Sequence, residues 1–285
     1  MANQKMSETN KAGTNQAGDN QVWESPVKKR LREGEPVIAV TITTANVDVA
    51  AHAASMGFDF LWIETEHSPI TLETLRNMVL ATRGMKALPF ARVPVNELWM
   101  AKRVLDAGVC GVIFPFTSTP ELAAQAAAAC RYPPAGRRGS GANLARFTWP
   151  GGSDGYADSA DRNVVVIVII EEARAVENVD AIAATPGIDV MFIGTSDLSF
   201  SLGLRGNQEH PRLQEALDKV VAAGQKHGKV VGRPAANAEQ VQKFLAQGFR
   251  FFQAPTDLGF MDAGAREYLG PLGRTAAPVK PKTIY

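Results

Sequence analysis

Cysteine is nearly missing from this chain: only Cys110 and Cys130 occur among 285 residues. They stand in separate apolar or helical stretches with no close pair, which excludes a thiolate zinc site or a CxxC redox motif and leaves two buried free thiols as the expectation. A charge excess is missing too. Thirty basic residues face 29 acidic ones, so there is no basic face for nucleic acid or an anionic membrane, and neither is expected as a partner. No apolar run approaches the ~18 residues of a membrane-spanning helix, and the N-terminal region has no apolar core after its basic residues. The cytoplasm is the expected compartment. Finally, no lysine stands at the carboxyl end of an apolar run, since Lys86 and Lys229 both precede theirs. Imine chemistry, which needs a desolvated amine at that end, is disfavoured, and a Lewis-acidic metal gains weight.

What the chain does have is an apolar share of 45% and a length suited to one barrel of alternating strands and helices, which often takes about 250 residues. Eight short apolar runs read as strands: Val37–Thr43, Phe58–Glu64, Leu88–Val93, Gly111–Phe116, Val164–Ile170, Val190–Ile193, Val230–Gly232 and Phe249–Ala254. Helical patterns fill the gaps at Val47–Met56, Leu72–Thr82, Glu97–Ala107, Pro120–Cys130, Ala175–Ala184, Pro211–His227 and Ala238–Gln247. Eight such units close a (β/α)8 TIM barrel. Glycines 57, 84, 108, 187, 228 and 248 follow helices, where left-handed caps would mark the barrel's lower face. The Asn-, Gln- and Gly-rich residues 1–22 read as a disordered tail, 23–270 as the barrel, and the proline-bearing 271–285 as an extended tail. The long irregular segment Pro133–Asn163 reads as a lid over the site or as packing at a subunit contact.

In such barrels the chemistry sits at the carboxyl ends of the strands. Glu171 ends VVVIVIIEEAR and Asp197 lies in MFIGTSDLS, so two carboxylates fall at the ends of neighbouring strands, about 4.8 Å apart, and can converge on one ion. Two protein oxygens suit Mg²⁺ or Mn²⁺ keeping waters or taking substrate oxygens. The bland alternative has Glu171 opening a helix and Asp197 capping one. In IETEHSP, Glu64, Glu66 and His67 reach the same face; the imidazole could move protons, with a neighbouring carboxylate raising its basicity, or simply bond the backbone. Arg92 ends the third strand, set either for a substrate carboxylate or for an internal salt bridge to Glu64 or Glu66. GRPAAN and APTDLG after the last two strands are weak phosphate turns, with Arg233 open to a distal anion or to a surface role.

Taken together, GFDFLWIETEHSP, RVPVNELWMAKRVLDAGVCGVIFP, CRYPPAGRRG, IEEARAVENVDAI and FIGTSDLSFSLG, in this order over about Pro26 to Leu269, resemble the HpcH/HpaI aldolase family. The resemblance implies a metal-dependent carbon–carbon lyase that cleaves or forms 4-hydroxy-2-oxo acids through a pyruvate enolate and an aldehyde. It implies Glu171 and Asp197 as ligands of Mg²⁺ or Mn²⁺ (Co²⁺ is a further option), Arg92 beside the substrate oxygen, and His67 in proton transfer with Glu64 at the position of its carboxylate partner. Backbone around Gly194, Thr195, Ser196 and Asp197 would take the pyruvyl carboxylate. A homo-hexamer, a trimer of dimers with a helix swapped between subunits, is implied as well. The chain departs from the family where Glu64 replaces an aspartate, Thr41 a tryptophan, Ile169 a glutamine and Thr195 the proline of FIGPAD, so a reshaped pocket is expected. A second enzyme reading is oxaloacetate decarboxylation through the same enolate, as in macrophomate-synthase-like relatives. A third is a ligand-binding barrel without turnover.

Overall fold

Every apolar run becomes a strand, and the eight strands pair in parallel, in chain order, into a closed barrel. The structure, a computed structural model, describes residues 23–274; the tail expected over 1–22 and residues 275–285 of the C-terminal one lie outside the described residues. The strands are β1 (Val37–Ile42), β2 (Phe60–Glu64), β3 (Leu88–Arg92), β4 (Gly111–Phe114), β5 (Val165–Ile170), β6 (Val190–Ile193), β7 (Val230–Pro234) and β8 (Phe251–Thr256). β5, VVIVII, is buried at every position, as a parallel strand covered on both faces should be, and its β-branched side chains fit the pleat.

Aromatic rings fill the barrel. Phe60 lies against Phe90 and Phe251 at centroid separations of 4.6 and 4.8 Å, and Trp62 meets Phe192 at 4.8 Å. β2 and β6 are not neighbours in the sheet, so the Trp62–Phe192 contact runs through the interior. Gly111 makes room for this layer, since a Cβ there would come 2.6 Å from the Phe90 ring. Each buried ring contributes on the order of 2–3 kcal/mol. Alternation then carries the inward face from Phe60 and Trp62 up to Glu64, and from Phe90 up to Arg92. The polar groups at the carboxyl ends therefore rest on a packed floor.

The helices α2 (Val47–Ser55), α3 (Leu72–Ala81), α4 (Leu98–Ala107), α5 (Pro120–Ala129), α11 (Pro211–His227) and α12 (Ala238–Ala246) follow the expected segments within a residue. Gly108 closes α4 and Gly228 closes α11 in the left-handed conformation. The single helix expected over Ala175–Ala184 is instead two, α8 (Ala173–Glu177) and α9 (Val179–Ala184). They divide at Asn178, whose side-chain amide donates to Ser118 O at 2.9 Å.

Four further regions depart from expectation. Residues 133–163, read as an irregular segment, contain α6 (Asn143–Thr148) and α7 (Tyr156–Asn163). The segment is packed down: Arg138 is fully buried, donates from Nη2 to Tyr156 Oη at 2.7 Å and lies 3.6 Å from Asp106. α1 (Pro26–Arg32) starts at the cap Ser25 and lies under the amino ends of the strands, with Lys28 bonded to Val164 O and paired with Asp189 at 3.2 Å. α10 (Thr195–Ser201) follows β6 directly, and α13 (Asp257–Leu269) follows β8 with no buried residue of its own. A short 3₁₀ turn, Gly270–Leu272, stands where the extended tail was expected to begin. Cys110 and Cys130 are buried free thiols, pushed up to about 12 by burial.

Candidate functional site

Glu64 and Arg92 are register partners on β2 and β3, so both long side chains leave the barrel floor at one level. Arg92 Nε donates to Glu64 Oε2 at 2.6 Å, and Trp62 Nε1 approaches the same oxygen at 3.4 Å. Glu64 Oε1 accepts the backbone N–H of Glu66 at 2.7 Å and of His67 at 3.1 Å. One carboxylate thus clamps both the guanidinium and the turn that carries the imidazole. Glu66 Oε1 lies 3.6 Å from His67 Nε2, while Glu64 acts on the same imidazole electrostatically and holds its backbone N–H. The extra methylene of Glu64 lets it fold back on its own turn.

Expectation and structure also differ on the basicity of His67. Its pKa is lowered, first by burial and then by Arg92, against the opposite pull of Glu64 and Asp197. The imidazole is accordingly neutral around pH 7, the form that accepts a proton.

Glu171 directly follows β5, and Gly194 directly follows β6; Ile170 and Ile193 are register partners. Glu171 Oε1 accepts the Phe116 N–H at 2.6 Å. Gly194 lets Oε2 lie close, since a Cβ on residue 194 would stand 2.9 Å from both Oε2 and Cβ of Glu171. Asp197, in the first turn of α10, completes the expected pair, and its charge reaches both Glu171 and Glu66. Gly194, Thr195 and Ser196 lead into the same helix, whose first N–H groups have no acceptor within it.

Glu171 is pushed up to about 7, chiefly by burial, with Asp197 and Glu66 adding to the rise. Glu66 is likewise raised to about 7 by burial, then by Glu64 and Asp197 against the lowering effect of Arg92. Glu66 Oε2 lies 3.2 Å from Arg92 Nη1, yet this buried oxygen has no hydrogen-bond partner. Four carboxylates around one guanidinium hold more negative charge than the protein neutralises. This donor set fits a hard divalent cation. Among the described residues no group of three or more His, Cys, Asp or Glu is arranged to hold a metal, so an ion here would rest on two carboxylates and on water or substrate oxygens.

The remaining sequence candidates fall elsewhere. Arg233 points out of the barrel, with its guanidinium 3.7 Å from the Phe244 ring centroid and 5.3 Å from that of Phe249. It packs under α12 rather than facing an anion site. Lys86 bonds Gly57 O and Lys229 bonds Ile188 O, both below the barrel. A cavity of about 670 Å³ opens beside Phe116, lined by Val95, Asn96, Trp99, Leu122 and Gln125 among others. Phe116, whose backbone is left-handed with φ 47°, is a site neighbour that no sequence motif marks. A phenylalanine in that region carries no local signature, unlike Gly or Asn.

A parallel eight-stranded barrel with acidic groups, one guanidinium and one imidazole at its carboxyl ends defines a class: barrel enzymes that stabilise negative charge on a small carbonyl substrate. Comparison with known proteins narrows it. Residues 39–262 match the HpcH/HpaI aldolase/citrate lyase family model. The hydroxypyruvate/pyruvate aldolase of Roseobacter denitrificans is 36% identical over 234 residues, covering 82% of this chain and 91% of that one. The 5-keto-4-deoxy-D-glucarate aldolase of Salmonella arizonae is 37% identical over 230 residues, covering 81% and 87%. A crystal structure of an HpcH/HpaI aldolase/citrate lyase family protein from Burkholderia cenocepacia superposes with a TM-score of 0.82 at 33% identity, over 88% of this chain and all of the other. The chain belongs to the HpcH/HpaI aldolase/citrate lyase family, and it is a lyase of the aldolase type. Among the described residues no helix is long and apolar enough to cross a membrane.

Proposed function

We propose that this protein cleaves 4-hydroxy-2-oxo acids to pyruvate, or a close 2-oxo acid, and an aldehyde, and runs the reverse addition. This reading is carried by the pair formed by Glu171, directly after β5, and Asp197, in the first turn of α10, with Asp197 and Arg92 both close enough to act electrostatically on Glu171. Glu171 and Asp197 would hold Mg²⁺ or Mn²⁺. When bound there, the cation supplies Lewis acidity toward the keto and carboxylate oxygens of the 2-oxo acid. Arg92 places positive charge where the keto oxygen becomes anionic, in a site where burial strengthens that interaction. Glu64 keeps the guanidinium in place through Nε and fixes the 66–67 turn, so its role is positioning. His67, neutral at pH 7, takes the proton of the 4-hydroxyl as the carbon–carbon bond breaks and returns one in the reverse direction. The N–H groups of Thr195 and Ser196, with Gly194 keeping the approach open, bind the substrate carboxylate.

The names of the two relatives make pyruvate and hydroxypyruvate the first donors to try, and 5-keto-4-deoxy-D-glucarate the first cleavage substrate. The homo-hexamer with a swapped helix belongs to the same reading. α13 supports it, because it buries none of its residues and exposes Leu258, Phe260 and Met261. The deciding experiment incubates the protein with Mn²⁺ and pyruvate in D₂O and follows methyl-proton exchange by NMR, with calorimetry of cation uptake in parallel. Exchange and uptake in the parent, both lost in Glu171→Ala and Asp197→Ala, are expected. A parent that shows neither overturns the assignment, and turnover of oxaloacetate without aldol cleavage shifts it to decarboxylation.

A further inference from the structure

Glu171 is held by a turn from a different strand. After β4 the chain passes Pro115, Phe116, Thr117 and Ser118, and three successive residues of this turn grip the end of β5. The Phe116 N–H donates to Glu171 Oε1 at 2.6 Å, the Thr117 N–H to Ile169 O at 3.2 Å, and the Ser118 hydroxyl to Glu172 Oε2. The turn is fixed from behind as well. Thr117, fully buried, donates from Oγ1 to Phe114 O at 3.3 Å and accepts from Asn96 Nδ2 at 3.2 Å, while Ser118 O accepts from Asn178 Nδ2 at 2.9 Å.

Within this clamp Phe116 adopts φ 47°, a left-handed conformation that a residue with a Cβ takes only when its surroundings impose it. Its ring does not explain the conformation, because the side chain is 48% exposed. The feature the left-handed backbone delivers is the aim of one N–H. With Oε1 occupied by that donor and Oε2 lying against the space left open at Gly194, the plane of the carboxylate is fixed before any ligand arrives. An anionic oxygen with an N–H donor at this distance forms a charge-assisted bond, among the stronger hydrogen bonds available.

We infer that Phe116 is a positioning residue for the metal ligand Glu171, acting through its backbone N–H and left-handed conformation rather than through its ring. This rests on the reading of Glu171 as a cation ligand. The turn presents one carboxylate oxygen in a set direction, so the cation meets a preorganised ligand instead of ordering a flexible one.

The test reads Mn²⁺ affinity by calorimetry on the full chain, together with thermal melts in EDTA. Replacing the 115–116 amide by an ester, with phenyllactate at 116, removes the N–H and keeps the ring, at the further cost of a weaker Pro115 carbonyl for the long 3.4 Å bond from Thr117 Oγ1. The dissociation constant is expected to rise roughly tenfold, the scale of losing one hydrogen bond to a charged group. Phe116→Val keeps the N–H but its β-branched side chain opposes positive φ, and it should weaken binding comparably. Phe116→Gly keeps the N–H, frees φ and should bind like the parent. Equal weakening by Phe116→Gly and Phe116→Val would assign the effect to the ring and overturn the inference. So would an ester that binds as the parent does, or variants that lower the melting temperature without changing the affinity. Glu171→Gln separates the two levels: if it binds Mn²⁺ like the parent, the ligand assignment itself fails. If it loses the ion while the ester keeps it, only the role of Phe116 fails.

Discussion

Glu171→Gln should stabilise the protein without cation, even though it removes a proposed ligand. The ordinary carboxyl value of 4.5 is raised to about 7 at Glu171, with burial the largest cause. Below pH 4.5 the proton is bound in both the folded and the unfolded chain, and nothing is lost. Between 4.5 and about 7 the unfolded chain releases the proton while the folded chain keeps it, so stability falls as pH rises, and above about 7 the loss is complete. A gap of about 2.5 pH units amounts to roughly 3 kcal/mol at pH 8. Glutamine keeps the shape, can still accept the Phe116 N–H through its carbonyl, and has no charge to lose. Urea unfolding in EDTA, followed by circular dichroism from pH 5 to 8, should show the variant pulling ahead of the parent as pH rises. Glu66 titrates in the same window and is coupled to Glu171, so the difference reports residue 171 together with the relief of that coupling, which has the same sign. Mn²⁺ at about a hundred times its dissociation constant should return about 2.7 kcal/mol to the parent and nothing to the variant. A difference that does not change with pH, or a variant less stable at pH 8, would refute the reasoning.

Two other substitutions probe the same site. His67→Asn should lower kcat for aldol cleavage by about 10² to 10⁴, the usual range for a general base, and leave Mn²⁺ affinity near that of the parent; the parent's acidic limb should lie below the ordinary histidine value of 6.5, because the His67 pKa is lowered. A pH–rate profile with coupled detection of pyruvate measures both. Gly194→Ala would place a Cβ 2.9 Å from Glu171 Oε2, and this overpacking should cost about 1–3 kcal/mol in unfolding measurements and weaken cation binding.

The parts of the fold that could be read from the sequence are those whose physics is local. β5 is a uniform β-branched run because both its faces are buried, and α11 matches its expected bounds because Pro211 opens it and Gly228 closes it. α13 could not be read, because a helix with no fully buried residue shows no clear apolar stripe to the core. α7 is polar along most of its length and is held by Asn163, which accepts from Ser25 N at 2.7 Å and donates to Trp23 O at 3.1 Å; both partners lie about 140 residues away. Glu171 and Asp197 were visible because each follows a strand. The turn that aims Phe116 at Glu171 was not, since its conformation is imposed by contacts with β5. Nor could the direction of the His67 shift be read, because it depends on how burial and Arg92 weigh against Glu64 and Asp197 in space.

The acidic groups of the site differ in how far each is already neutralised. Glu64 spends its carboxylate on Arg92 Nε and on two backbone N–H groups, and Glu66 Oε1 lies 3.6 Å from the imidazole. Glu64 neutralises Arg92, and Glu66, Glu171 and Asp197 remain as an acidic surplus. Two of those three rise to about 7, so the fold without cation holds protons there that a divalent ion would displace. Cation binding must then strengthen as pH rises through 7, releasing protons as it does. The same excess charge that makes the barrel's upper end expensive to fold is what the proposed cation would offset, leaving Arg92 to face an anionic substrate.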